Sequence, residues 1–259
     1  GDFDRTEMHS LLEEITSILA RSFTLRVTIA EEPIQQGSRC RRKTFAVSAS
    51  KLTMAWQTPS LEHPDAAALD LLASILGAGR SSRLYQNIRE KSDLCHHIGA
   101  WSMIDPDAPG LFSIAAIADH SKRDELQQVI LKEIEQLSSS DFSEEIVKTT
   151  RMALVSQFRT LATASGRASD LASNWHETRN LDFTRDYMDM LAGVTSEDIQ
   201  RAARTHRVPG KLTVTSLDPE DSEETDQSAE ESSTRGKMQT VTLDNGLTLI
   251  TQRDPRLPT

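Results

Sequence analysis

The chain has 259 residues, a hydrophobic fraction of 37% and a formal net charge of −10. Such a composition supplies a core for one large domain or two small ones and leaves part of the chain short of packing partners. The acidic balance argues against a phosphate-backbone binder, no run of about 18 apolar residues offers a membrane span, and two cysteines make no disulfide framework.

Cys40 and Cys95 are expected as two free or buried thiols, with a single disulfide between them as the alternative. Cysteine usage therefore leaves the compartment open. No signal peptide is visible, and Gly1 in place of methionine reads as the start of a mature or excised fragment.

Met8, Leu11, Leu12, Ile15, Ile18 and Leu19 recur at helical spacing and predict an amphipathic helix over Arg5–Ala20, capped by Asp4 or Thr6. Arg21 to Lys43 reads as an extended connector. Its basic cluster (Arg39, Arg41, Arg42, Lys43) is expected to be a solvated patch, with an anion or peptide-carboxylate contact as the alternative. Alternation predicts strands over Lys43–Ala49 and Lys51–Thr58, the second stopped by Pro59. A helix follows from Asp65 to Leu76 and ends at Gly77 and Gly79.

Ser81 or Ser82 starts a second helix that turns Leu84 and Ile88 inward. Strands over Cys95–Ile104 and Leu111–Ala118 flank a turn at Asp105–Gly110. Leu126, Val129, Ile130, Ile134 and Leu137 mark a helix. Asp141 and Glu144 form a candidate capping box for the next, which Ser165–Gly166 should break. Ala168, Leu171, Ala172 and Trp175 continue a shorter helix. A last one begins at Thr195–Ser196, and Leu212, Val214 and Ser216 suggest a closing strand. From Asp218 to Arg235 acidic residues alternate with Ser and Thr without one large aliphatic side chain, the composition of a disordered linker. Gln239–Thr251 then alternates around Asn245–Gly246, a strong hairpin signal. The order of elements gives an α+β fold, a mainly antiparallel sheet with helices packed against it.

None of the seven histidines lies in H-x-x-E-H or H-E-x-x-H. His9 and Glu13 share a helix face but are too few for zinc. His96 and His97, adjacent in a strand, should point to opposite faces. There is no G-x-S-x-G elbow, and GAGRSS lacks the Gly-Lys-Ser/Thr ending of a phosphate loop. No catalytic residue and no metal ligand is assigned.

Several words in order carry a family resemblance. These are GDFD at the start, LGAGRSSRLYQNIRE at Leu76–Glu90, GLFSIAAIA at Gly110–Ala118, VTSEDI at Val194–Ile199, KLTVTSLDP at Lys211–Pro219 and VTLDNGLTLI at Val241–Ile250. Together they resemble the second, non-zinc half of a module of the insulinase, pitrilysin and mitochondrial-processing-peptidase family of zinc peptidases. The resemblance implies a layout: residues 1–218 as a half-module without a zinc motif, 219–237 as an acidic linker, and 238–259 as the opening hairpin of a following module. In such proteins the H-x-x-E-H helix lies in another half, where two histidines and a downstream glutamate hold Zn²⁺ and the motif glutamate serves as general base.

The resemblance further implies zinc in the parent protein but none in this fragment. The implied partners are a peptide substrate and the other half-modules of the same protein, with no nucleic acid. A periplasmic location is implied by bacterial members with tandem modules. Substrate-binding halves of the family often place an arginine at the Arg89 position and a tyrosine at the position of His96. Arg89 and His96 are therefore the implied substrate contacts, His96 departing from the pattern. An imidazole there can still donate to an oxyanion; otherwise Arg89 simply pairs with Glu90 or Asp93. The expected role is a non-catalytic domain that supports the metal-bearing half and lines the peptide chamber. The alternatives are a degenerate module serving assembly or peptide binding, and an unrelated α+β binding domain.

Overall fold

The computed structural model describes residues 3–19, 35, 37–106, 108–207 and 209–220, and the strands at 239–242 and 248–251. Asp4 accepts a hydrogen bond from the Glu7 N–H and caps helix α1 (Arg5–Thr16). The helix stops at Thr16 rather than Ala20, where the Thr16 and Ser17 hydroxyls donate to the carbonyls of Leu12 and Glu14. Strand β1 (Arg39–Phe45) lies earlier than the expected 43–49 and is exposed along its whole length. Strand β2 (Ser50–Thr58) falls where alternation puts it, with every even-numbered residue buried.

Helix α2 (Ala66–Gly77) buries nine of its twelve residues. Gly77 ends it against strand β3 (His97–Met103): a Cβ on Gly77 would lie 1.9 Å from the Ala100 backbone nitrogen. Glycine is thus required at Gly77 by close approach, whereas the left-handed position of the turn, at φ +77°, is Gly79. The next segment is a π-helical turn, Tyr85–Glu90, rather than an α-helix. Leu84 and Ile88 nevertheless face inward as expected. Strand β4 (Gly110–Ala118) follows.

The helical half comprises α3 (Arg123–Gln136), α4 (Ser143–Leu161), α5 (Ala164–Thr178), α6 (Phe183–Gly193) and α7 (Ser196–His206). The expected Asp141–Glu144 box is absent. Asp141 instead accepts from the Ser143 N–H and from the hydroxyls of Ser143 and Ser196, tying α4 to α7. The α4–α5 break falls at Ala162–Thr163, not at Ser165–Gly166. Gly166 sits inside α5, donating its N–H to the Thr163 hydroxyl, and a Cβ there would meet the Thr160 carbonyl at 1.9 Å. Helix α6 has no counterpart in the sequence expectation. Helix α7 starts with a capping box between Thr195 and Asp198.

Strand β5 (Leu212–Pro219) completes a five-stranded sheet of order β1–β5–β2–β4–β3. Only the β1–β5 pair is parallel. The even-numbered side chains Leu52, Met54, Trp56, Ile98, Phe112, Ile114, Ala116, Leu212 and Val214 form one core with α2, α3 and α7. The expected α+β class therefore holds. The connector residues 20–34 and most of the acidic linker (221–238) lie outside the described residues, as does the Asn245–Gly246 turn. Strands β6 (Gln239–Thr242) and β7 (Thr248–Thr251) pair antiparallel on either side of residues 243–247.

Candidate functional site

The π-helical turn carries Arg89 beside the start of β3. Its Nε donates to the His96 carbonyl at 2.8 Å, and its Nη1 reaches the Tyr85 hydroxyl and the Glu90 carboxylate at 3.0 Å each. Arg89 and His96 are thus brought together, but through the backbone of His96. The imidazole turns away, placing Nε2 2.9 Å from Asp119 Oδ1. His96 lies just before β3 rather than in it, while His97 opens the strand. The guanidinium and the exposed imidazole, each held by a carboxylate, can offer donors to a carbonyl.

A second cluster was not foreseen. His63, Asp65 and His206 place ligand-type atoms within 4.8 Å of one another. Asp65 sits at the N-terminus of α2 and His206 at the end of α7, so only folding joins them. The local His63–Pro64–Asp65 spacing is the one trace of it in the sequence. Asp65 Oδ1 accepts from Arg201 at 2.8 Å, and Oδ2 lies 2.8 Å from His206 Nε2. His63 Nδ1 accepts the Asp65 backbone N–H at 3.0 Å. Burial opposes ionisation of Asp65, but the hydrogen bonds from Arg201 and His206 outweigh it and hold the carboxyl below the usual range. These residues do not fit a zinc ion. The lone pair of His63 Nδ1 is engaged, both carboxylate oxygens are taken, and the cationic guanidinium of Arg201 lies against the carboxylate that would have to bind a cation. The cluster is a clasp between α2 and α7.

A third group joins Ser50, His120 and Asp218. Its geometry differs from a nucleophilic triad. The Ser50 hydroxyl donates to Asp218 at 2.6 Å, His120 Nδ1 lies 3.1 Å from the same hydroxyl, and Ser50 is buried. A groove of about 380 Å³ lies between α2, α4, α6 and β3, lined by Asp70, Ser74, Ala100, Trp101, Tyr187 and Leu191. There Tyr187 donates to Asp70, and burial raises the pKa of both groups. Arg207 is 5% exposed, with its guanidinium over the Phe112 ring and no hydrogen-bond partner for its nitrogens among the described residues. Burial draws its pKa down to about 9. Both thiols are free; burial pushes that of Cys95 up to about 11, away from reactivity.

Residues 1–154 match the family described as the peptidase M16 inactive domain. The chain belongs to this family. A Rickettsia felis protein named as a zinc protease is 26% identical over 133 residues, covering 51% of this chain and 32% of that protein. YmfF of Bacillus subtilis, named as an inactive metalloprotease, is 23% identical over 205 residues, covering 78% of this chain and 47% of that protein. A crystal structure of a protease from Helicobacter pylori superposes with a TM-score of 0.76 at 22% identity, over 85% of this chain and 54% of that one. The chain thus spans about a third to a half of the length of these three proteins. Among the described residues no helix is long and apolar enough to cross a membrane.

Proposed function

We propose that this chain is the non-catalytic half of a zinc-dependent endopeptidase, which supports a metal-bearing half and lines the chamber that holds the peptide. One observation carries the reading: the match to the inactive-domain family, in a chain that spans 32% of a relative named as a zinc protease. The reading assigns residues 1–218 to the half-module, 219–237 to a linker and 238–259 to the start of a following unit. Support for the last comes from the β6–β7 pairing, which makes no sheet contact with β1–β5. Arg89 and His96 serve as donors to the peptide backbone, and the zinc and its general base belong to the other half. Without that half, the isolated chain should neither retain zinc nor cleave peptides. The check is metal analysis together with cleavage of a fluorogenic peptide library in added zinc. Stoichiometric zinc or chelator-sensitive cleavage would overturn the reading.

A second reading is favoured by the similarity to YmfF, a protein named as inactive. Here the module serves assembly or peptide binding in a parent that cleaves nothing. An intact H-x-x-E-H in the parent separates the two.

A further inference from the structure

The sheet has two faces, and among the described residues only one is used by the core. The register aligns the odd-numbered side chains of all five strands into transverse rows on the other face. One row runs Lys43, Leu217, Lys51, Ile117, His97. The next runs Arg41, Thr215, Thr53, Ala115, Gly99, and the third Arg39, Thr213, Ala55, Ser113, Trp101. None of these residues belongs to the core cluster. The floor is small and polar, while Trp101, Met103 and Leu111 stand exposed at one corner.

The charge on this face is one-sided. The chain carries 39 Asp and Glu against 29 Lys and Arg, yet no row contains a carboxylate. Arg39, Arg41, Lys43 and Lys51 are exposed. Among the described residues none of them makes an ion pair, whereas Arg42, on the opposite face of β1, pairs with Asp124 at 3.0 Å. Unneutralised cations collected on one flat surface of an acidic protein create a local positive field, and such fields select partners by charge.

We propose that the open face of the sheet binds extended acidic polypeptide segments, with carboxylates along β1 and the Lys43–His97 row and an aromatic or aliphatic side chain against Trp101. This rests on the peptide-chamber reading and names the substrate class. A flat sheet face suits an extended chain, which can lay alternate side chains on it. The small, half-buried floor of Thr53, Ala55 and Ala115 admits a backbone closely, while Ser113 beside Trp101 is itself buried. A nucleic acid is disfavoured because the net charge of −10 repels a long polyanion.

The test is fluorescence anisotropy of the full chain with short labelled peptides, each carrying one tryptophan, that are Asp/Glu-rich, neutral or Lys-rich. The acidic peptide should bind tightest and weaken with salt. The triple variant Arg39→Glu/Arg41→Glu/Lys43→Glu, at exposed positions without partners, should keep its circular dichroism and lose about tenfold or more in acidic-peptide affinity. Trp101→Ala should lower affinity for all three peptides together. Equal affinities, or a triple variant that binds as before, overturn the charge inference while leaving the peptide reading intact. If none of the peptides binds, the peptide-contact reading itself falls. Single-stranded DNA binding as tightly as the acidic peptide also overturns the proposal. So does acidic-peptide binding that emerges only after deletion of residues 221–235, since the chain's own acidic run is then the occupant.

Discussion

Helices α1 and α2 have the same length, twelve residues, and opposite fates. Helix α2 buries nine residues and touches β3, β4, α4, α6 and α7; it is the hub of the core. Helix α1 buries none. Its apolar stripe leaves Leu11, Leu12 and Ile15 at 46%, 53% and 56% exposure. Amphipathic spacing makes a helix in both cases, but among the described residues only the α2 stripe finds a partner. Helices α4 and α5 repeat the lesson, with Val147, Phe158 and Trp175 exposed. On the half-module reading proposed above, these exposed apolar helix faces are where neighbouring parts of a larger protein would pack.

Substitutions can break or sharpen that contrast. The largest effect is expected at Leu72, fully buried in α2: Leu72→Ala should cost about 3–4 kcal/mol in chemical denaturation by leaving a cavity. Next comes the clasp that fixes the start of α2 to α7. Asp65→Asn removes the charge facing Arg201 and His206 and should cost about 1–2 kcal/mol at neutral pH, since Arg201 is half exposed and partly screened. The sign with pH follows from the depressed carboxyl. The ionised clasp stabilises the fold above the unfolded-state value of about 4 and is lost as pH falls through the lower folded value. Wild type and Asp65→Asn should therefore converge in melting temperature on acidification. The smallest effect belongs to α1. Leu12→Ser/Ile15→Ser should change stability by no more than about 0.5 kcal/mol in this chain, because both residues already face solvent. A loss comparable to that of Leu72→Ala would show that α1 is packed in solution and would end the comparison.

Much of the fold is legible in the sequence wherever one face is buried and the other is not. β2, α2, β4 and α7 lie where period and capping residues put them. The failures have physical causes. β1 is an edge strand exposed on both faces, so Arg39–Lys43 shows no alternation and reads as a connector. Gly166 reads as a breaker, yet it is needed within α5 because the Thr160 carbonyl crowds its Cα. The π-helical turn around Arg89 keeps the inward placement of Leu84 and Ile88 and differs only in backbone winding, which side-chain pattern does not encode. Of the candidate site, Arg89 and His96 came from a resemblance, and the structure adds that their link is a backbone carbonyl. The Asp65 clasp joins residues 141 positions apart, beyond the reach of any local pattern.

The position of β5 bears on the order in which the domain can assemble. β2, β3 and β4 are available for pairing once Ala118 has been synthesised, but β1 touches the sheet only through β5, the last of the five strands in the chain. During translation, the basic edge must therefore wait while nearly a hundred further residues emerge, with one side of β2 unpaired throughout. Sealing of that edge by a strand distant in sequence is a slow, non-local step. The basic β1 edge is accordingly the last part of the sheet to be completed, and a nascent chain stalled before Leu212 presents an open β2 edge to its neighbours.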